Sequence, residues 1–287
     1  MAHIINPFKA KPSSDLYITQ PLTFESMRRA KRYAKGRVDV ELYTAQFEED
    51  REMIPQDFIP TQNLERSVLD IHTFIHKRKY PLIQDILIRL FNETEAEYLI
   101  YTNVDIILQP YFYQCLATYI REGYDALIVN RRRIPETYTK RSQLSSMSLE
   151  LGKSHPGFDC FVFHRNLLSK FQLGEICIGV PFIGIGLSQN LFCYAENIKM
   201  LINSHLTLHI GMELFMKRAP KEYFLHNKHA FWKQVRRMWP EMEVTKLPYV
   251  SLLFPIRVLA WGLNPSIPIR LALALEWKRW KQRLGIT

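Results

Sequence analysis

Cysteine is scarce in this chain, and internal repeats and low-complexity segments are absent. The four cysteines stand singly in apolar surroundings, without the paired spacing that is typical of a cysteine-ligated metal site; they are Cys115, Cys160, Cys177 and Cys193. We therefore expect buried free thiols, as in proteins of the reducing cytosol.

The sequence also has little that resembles a targeting or membrane-spanning segment. Residues 1–12 contain no apolar run of the signal-peptide type. One uncharged stretch, residues 176–195, is long enough to cross a bilayer. It contains Pro181, three glycines and a polar run, however, so we predict a loop that leads into a buried helix. These features favour a cytoplasmic protein.

What the chain does contain is an ordinary globular composition with an uneven distribution of charge. Of its 287 residues, 47% are hydrophobic and 23% are charged, which is enough apolar material for a core. Residues 217–287 hold 14 lysines and arginines against 4 acids, whereas residues 1–216 hold 24 of each sign. We predict a main domain over residues 1–216 and a basic, aromatic-rich helical region over residues 217–287.

Short apolar runs alternate with helical patterns, which predicts an α/β fold with parallel strands. Strands are predicted at residues 3–8, 38–45, 97–102, 125–130, 158–164 and 199–205. Helices are predicted at residues 21–35, 63–76, 81–91, 110–122 and 188–198, the first of them beginning at Pro21. The arginines at 131–133 and the polar stretch that follows, up to Lys153, predict a long, mobile loop.

The strongest local signal is Asn103-Val104-Asp105, which directly follows the apolar strand predicted at 97–102. In open α/β sheets, ligands bind beyond the carboxyl ends of the strands. A carboxylate there, with an amide oxygen two residues earlier, suits a hard divalent cation such as Mn²⁺ or Mg²⁺. The alternative is structural, with Asp105 capping the turn before Pro110.

Two further polar residues stand out against apolar neighbours. Asp159, in the segment His155-Pro156-Gly157-Phe158-Asp159, begins an otherwise apolar strand, so its carboxylate must be solvated, paired or used. His209, followed by Ile210 and Gly211, could supply a nitrogen ligand to a metal. Each has a structural alternative: Asp159 as a turn residue bonded to nearby amides, and His209 as a core histidine.

The order of these pieces resembles the GT-A superfamily of nucleotide-diphosphosugar transferases, over roughly residues 3–215. Asn103-x-Asp105 is similar to the D-x-D motif of that family, with Asn in place of the first Asp and therefore one negative charge fewer. The resemblance implies a Rossmann-type mixed sheet flanked by helices. It also implies a nucleoside-diphosphate sugar donor and a divalent cation, Mn²⁺ or Mg²⁺, with Asp105, Asn103 and His209 as the candidate metal ligands.

Further site residues are expected from the same resemblance and from the chemistry of glycosyl transfer. Asn6 and Pro7 would line the nucleotide pocket, and Arg78 and Asp85 would lie near the base or ribose. Arg131 is a candidate for neutralising the departing diphosphate, unless the arginine triplet is a solvated loop. An inverting enzyme needs a base for the acceptor hydroxyl; Asp159 is the first candidate, either as that base or as an acceptor-binding residue, and Glu213 is the second.

Three other interpretations remain open at this stage. A nucleotidyltransferase on a similar scaffold is disfavoured because residues 6–11 contain no glycine. A non-catalytic protein that binds a sugar nucleotide, a glycan or a nucleic acid through its basic end is the main alternative, although no nucleic-acid module is recognisable. A transferase that binds its donor without turnover is the third, because Asn103 weakens the motif.

The basic C-terminal region interleaves tryptophan with lysine and arginine, most densely in residues 277–283. This pattern suits the headgroup layer of an anionic membrane. Pro255, Arg257, Pro265 and Pro268 argue against a spanning helix. We expect peripheral contact with the inner face of the cytoplasmic membrane, which suits a carbohydrate or lipid-linked acceptor; the alternative is that the segment packs on the main domain.

Overall fold

The structure is a computed structural model that describes residues 1–211 and 219–286. Its strands form one mixed sheet in the order β3-β2-β1-β4-β7-β6-β9-β5, with β8 paired to β6 outside this path. Strands β1 to β4 are parallel neighbours, β7 runs antiparallel between β4 and β6, and β8 and β9 are parallel to β6. The bounds are β1 Ala2–Ile5, β2 Glu41–Thr44, β3 Ile59–Pro60, β4 Tyr98–Thr102, β5 Ile107–Leu108, β6 Ala126–Ile134, β7 Lys153–His164, β8 Ile198–Leu201 and β9 Thr207–Ile210.

Helices cover both faces of this sheet, because alternate residues of each central strand point to opposite sides. On β4, Leu99 and Tyr101 join one apolar cluster and Ile100 joins the other. α1 and α3 pack on the second face, and α2, α5, α6, α7 and α8 on the first. The bounds are α1 Asp15–Ala34, α2 Ile83–Glu93, α3 Phe112–Arg121, α4 Leu144–Leu149, α5 Ile183–Tyr194, α6 Lys221–Met238, α7 Phe254–Leu263 and α8 Ile269–Arg283. The predicted α/β class, a mixed sheet flanked by helices with a helical C-terminal region, is confirmed.

Two predictions about helices are wrong. α1 begins at Asp15 and not at Pro21, because the Ser14 side chain accepts a hydrogen bond from the Leu16 N–H and caps the helix earlier. Pro21 is accommodated inside the helix. The helix predicted at residues 63–76 is reduced to a 3-10 turn, Val68–Asp70. The backbone there bonds outward instead, from the Leu64 N–H to the Gln46 carbonyl and from the Val68 N–H to the Tyr80 carbonyl.

The mobile loop predicted from residue 131 onward is also wrong. β6 continues through the arginine triplet to Ile134, and Arg131 and Arg133 are buried. The charge run is compatible with a strand because each guanidinium group contacts a neighbouring carboxylate or carbonyl group. A 3-10 turn at Arg141–Gln143 and α4 follow it.

The C-terminal helices share a core with the first-face cluster. Trp261 of α7 and Leu271 and Leu275 of α8 are buried in it. The Gln189 side chain of α5 donates a hydrogen bond of 2.8 Å to the Ser266 carbonyl between α7 and α8. The predicted domain boundary at 216/217 lies outside the described residues. Of the helices in residues 1–211 and 219–286, none is both long and apolar enough to cross a membrane, and residues 183–194 form the buried helix predicted for that segment.

Candidate functional site

Asp105 and His209 meet where β4 ends and β5 begins. β5 pairs antiparallel with β9, with Ile107 opposite Leu208, and this pairing carries Asp105 alongside His209. Asp105 Oδ2 lies 3.1 Å from His209 Nε2, and both side chains keep about a fifth of their surface exposed. The carboxylate is thus paired across 104 positions of chain rather than with the turn before Pro110.

This pair leaves hydrogen-bonding capacity unused. Asp105 Oδ1 and His209 Nδ1 are buried and have no hydrogen-bond partner among the described residues. Burial raises the pKa of Asp105, but the hydrogen bond and charge of His209 and the charge of Arg131 outweigh it, so this pKa lies below its usual value. Asp105 is therefore an ionised carboxylate with one oxygen free to take a cation or a donor.

A second group of side chains lies beside this pair, on β4, β6 and β7. The Tyr101 hydroxyl donates to Asn103 Oδ1 at 3.0 Å, and Asn103 Nδ2 donates to Asp159 Oδ1 at 2.9 Å. Arg131 Nη1 is 2.8 Å from Asp159 Oδ2, with only 9% and 17% of the two side chains exposed. This contact is an ion pair without hydrogen-bond geometry, so Asp159 Oδ2 can still accept a hydrogen bond.

Two irregularities in the β6–β7 pairing produce this arrangement. Val129 pairs with Cys160 and Asn130 with Phe158, so Asp159 is an extra residue on β7. The next pair is Arg132 with Ser154, which sets residues 155–157 against Arg131 alone. Bulges of this kind redirect side chains and occur next to active sites.

His155 lies in the second bulge and contacts Arg131. Its Nε2 is 3.2 Å from Arg131 Nη2, and its Nδ1 accepts from the Gly157 N–H at 2.8 Å. Burial, followed by the charge of Arg131, lowers the pKa of His155 to about 4, so the ring is neutral at pH 7. We assigned no role to His155 or Tyr101 from the sequence. The only signal for Tyr101 was its position two residues before Asn103, which places both side chains on one face of a strand.

The other predicted site residues are distributed over several elements. Asn6, after β1, is buried and donates to the Ala45 carbonyl at 2.6 Å, and Pro7 follows it. Arg78 Nη1 donates to the Tyr80 hydroxyl at 3.0 Å. Asp85 on α2 accepts two hydrogen bonds from Arg66, at 2.8 and 2.9 Å. The roles predicted for these residues remain predictions, and Glu213 lies outside the described residues.

The cluster around Asp105 fits a divalent cation in part. The free Asp105 Oδ1 is a hard oxygen ligand of the kind that Mg²⁺ and Mn²⁺ prefer, whereas Asp105 Oδ2 and His209 Nε2, 3.1 Å apart, are engaged with each other. In the described ranges, no three His, Cys, Asp or Glu side chains are grouped so that they could hold a metal ion. A cation here would depend on phosphate oxygens and water for its other ligands, as Mg²⁺ commonly does.

The Asn103 side chain is bonded to Tyr101 and Asp159 and not to the Asp105–His209 pair. Both ends of its amide are already engaged, the oxygen with Tyr101 and the nitrogen with Asp159. To serve as a metal ligand, Asn103 would have to use the second lone pair of its oxygen.

Comparison with known proteins finds no matching family model and no matching curated protein. Among solved structures, the chain is similar to TarS 1-349 from S. aureus in complex with UDP-GlcNAc, with a TM-score of 0.47, 10% identity and coverage of 99% of this chain and 92% of that one. It is also similar to glucosyl-3-phosphoglycerate synthase from Mycobacterium tuberculosis in complex with Mn²⁺, uridine diphosphate and phosphoglyceric acid. That TM-score is 0.46, with 17% identity and coverage of 83% and 78%.

A third similar structure is 4-diphosphocytidyl-2C-methyl-D-erythritolsynthase from Anaerococcus prevotii, with a TM-score of 0.41, 11% identity and coverage of 79% of this chain and 96% of that one. Two of these neighbours were solved with a uridine nucleotide, UDP-GlcNAc in one and uridine diphosphate in the other. At such identities and TM-scores the similarities are remote, so the chemistry of this chain has to be argued from its own side chains.

Proposed function

We propose that this chain is a glycosyltransferase that moves a sugar from a nucleoside-diphosphate donor to a hydroxyl acceptor. The observation that supports it is the Asp105–His209 pair, which combines an ionised carboxylate with two buried, unpartnered atoms. The pair lies just beyond the carboxyl end of β4, where ligands of open α/β sheets bind.

On the donor side, Asp105 and His209 would hold a divalent cation, Mn²⁺ or Mg²⁺, with Asn103 as a further candidate ligand. When bound, the cation supplies Lewis-acid neutralisation of charge on the departing diphosphate. Arg131 would add a fixed positive charge, which Asp159 orients through their ion pair.

On the acceptor side, Asp159 is the candidate that would receive the hydroxyl proton or bind the hydroxyl. Its Oδ2 keeps acceptor capacity, and Asn103 holds its Oδ1 from the other side. A carboxylate held between the Asn103 amide and the Arg131 guanidinium is well positioned for an incoming hydroxyl. Glu213 remains the second candidate for the base. The acceptor would be a carbohydrate, including a lipid-linked one.

A thermal-shift screen of UDP, GDP, CDP and dTDP, with and without Mn²⁺, tests the donor site. We expect one nucleotide to raise the unfolding temperature by about 5 °C when Mn²⁺ is present, because a ligand at about a hundredfold excess over its Kd stabilises by roughly 2.7 kcal/mol. The Asp105→Asn variant should lose this shift. Asp57→Asn, which removes an exposed partner of Arg28, should retain it.

Stabilisation by none of the nucleotides, or an equal shift in Asp105→Asn, would contradict the proposal. Nucleotide binding without any release of nucleoside diphosphate from the corresponding sugar nucleotide, across a panel of hydroxyl acceptors, would favour the non-catalytic alternative.

A further inference from the structure

The outward face of α7 is apolar where a surface helix would be polar. Ile256, Leu259 and Leu263 follow a helical spacing of three and four residues, and all are exposed. Leu259 and Leu263 expose 63% and 73% of their surface, and Leu253, just before the helix, exposes 74%. Aliphatic side chains in such a row are not a feature of an ordinary solvated face.

α8 carries a second apolar row, which meets the first. Its members are exposed at the same helical spacing: Ile269, Leu273, Trp277, Trp280 and Leu284. The two rows adjoin where Ile269 Cδ1 lies 3.6 Å from the position that a Cβ of Gly262 would occupy. We call the two rows together the α7–α8 face.

The aromatic part of this face is accompanied by positive charge. Trp277 and Trp280 stack with their ring centroids 5.0 Å apart, and Lys281 Nζ lies 6.0 Å from the Trp277 centroid. Among residues 1–211 and 219–286, no acidic group forms a salt bridge with the flanking cations; these are Arg270, Lys281 and Arg283.

The acid of these two helices points inward. Glu276 pairs with Arg257 beneath the face, where the two side chains keep 17% and 12% of their surface exposed. The α7–α8 face is therefore apolar in the middle and cationic at its side, without an exposed carboxylate from either helix.

The opposite side of both helices fixes them to the protein. Trp261 is fully buried and its Nε1 donates to the Pro248 carbonyl at 2.8 Å. Lys278 Nζ donates to three backbone carbonyls, those of Trp239, Pro240 and Met242. These contacts hold the apolar rows in place, so they do not need to fold upon binding.

We propose that the α7–α8 face docks on the surface of an anionic lipid bilayer, with its aliphatic rows in the headgroup and acyl boundary and its cations at the lipid phosphates. Tryptophan beside lysine and arginine is typical of this layer, and each cation near an anionic membrane adds to the attraction. The helices, 10 and 15 residues long, lie on the membrane and do not cross it.

Charge and composition favour a bilayer over a second protein. Protein interfaces are depleted in lysine, whereas this face carries Lys281 beside its tryptophans and has no exposed carboxylate from either helix to balance the charge. A second copy of the chain would bring the same cations against each other. This inference does not depend on the proposed catalytic activity.

The test is co-sedimentation of the full chain with vesicles of phosphatidylglycerol and phosphatidylcholine, and with vesicles of phosphatidylcholine alone. We expect the wild-type protein to pellet with the anionic vesicles and to be released by high salt, which screens the cations. Leu259→Ser with Leu263→Ser should lower the partition coefficient at least about tenfold, because two aliphatic insertions are lost. Lys281→Gln with Arg283→Gln should lower binding to the anionic vesicles and leave binding to the phosphatidylcholine vesicles unchanged.

The matched control is Tyr33→Ser with Ile75→Ser, which removes two exposed apolar side chains from other elements and should pellet like the wild type. Asp105→Asn should also pellet like the wild type, which separates this test from that of the donor site. The proposal is overturned if the wild type stays in the supernatant, if the control loses as much binding, or if the protein forms a dimer that the leucine substitutions dissociate.

Discussion

At the scale of single residues, the Arg131–Asp159 ion pair connects the site to the stability of the protein. Both side chains are largely buried, so removing one leaves the other charge without its partner. We expect Arg131→Met and Asp159→Asn each to lower the free energy of unfolding by about 3 kcal/mol, and the double variant to lose less than the sum. Urea unfolding of the wild type, the two single variants and the double variant measures the coupling energy between the two side chains.

The more exposed pair of Arg28 and Asp57 gives the comparison for that cycle. Arg28→Met should cost less than about 1 kcal/mol, since solvent screens such pairs. Strict additivity of the Arg131 and Asp159 variants would show that the pair does not act as a unit.

His3 makes stability depend on pH. It is fully buried, with its ring nitrogens 2.9 Å from the hydroxyl oxygens of Tyr113 and Thr102, and burial lowers its pKa to about 3. The unfolded chain takes up a proton near pH 6.5, whereas the folded chain does not until near pH 3. Stability is therefore lost as pH falls below about 6.5, by roughly 1.4 kcal/mol per pH unit.

Urea midpoints measured between about pH 6.5 and pH 5 test this dependence. His3→Gln should be less stable at neutral pH. Its free energy of unfolding should also fall less steeply as the pH is lowered, by about the 1.4 kcal/mol per pH unit that one proton contributes. His155, whose pKa is also lowered, acts in the same direction and remains in the variant. Equal slopes in the two proteins would contradict the assignment.

At the same scale, the sequence was a better guide to which side chains share the site than to the hydrogen bonds that those side chains make. The family resemblance implied that Asp105 and His209 share a site, but the antiparallel pairing of β5 with β9, which brings them together, was not predicted from the sequence. It could not reveal that Asn103 is bonded at both ends, since those bonds depend on Tyr101 and Asp159 across a strand pair.

At the scale of elements, the β7 bulges depend on a close approach of α5. A Cβ at Gly184 would lie 2.8 Å from the Phe158 carbonyl oxygen, a backbone atom of the irregular segment. We expect Gly184→Ala to destabilise by about 1 to 3 kcal/mol and to weaken nucleotide-dependent stabilisation, because the bulge must move. Differential scanning fluorimetry with and without nucleotide measures both effects.

Gly262 is the matched control, being a second glycine within a helix. A Cβ there meets Ile269 at 3.6 Å, an ordinary contact. Gly262→Ala should be neutral or stabilising by up to about 1 kcal/mol, through helix propensity. If both variants lost the same stability, steric contact with β7 would not be the cause.

Elements were predictable where local and tertiary preferences agree. β4 and α2 occur within a few residues of the predicted bounds, because their apolar spacing matches their burial. Residues 63–76 carry a helical spacing too, but their backbone groups bond to distant segments. The bulges in β7 have no sequence signal beyond Gly157, because they are defined by register against β6.

At the scale of the whole molecule, the C-terminal region is joined to the rest by a shared core. Trp261, Leu271 and Leu275 pack in the cluster that includes β4 and β7. Deleting residues 247–287 would therefore expose that cluster, which is why point substitutions on the α7–α8 face are the cleaner test of membrane contact. The basic composition of this region was evident from the sequence, whereas the side on which its apolar rows lie was not.

In residues 1–211 and 219–286, the strands at both ends of the sheet are poor templates for pairing with another strand. β3 and β5, at its two ends, are only two residues long, and β3 includes Pro60. β8, which pairs with β6, carries Lys199. Short strands, proline and lysine all hinder pairing with strands of other molecules. A chain that presents the apolar α7–α8 face to its surroundings is thereby less prone to grow into aggregates through its backbone.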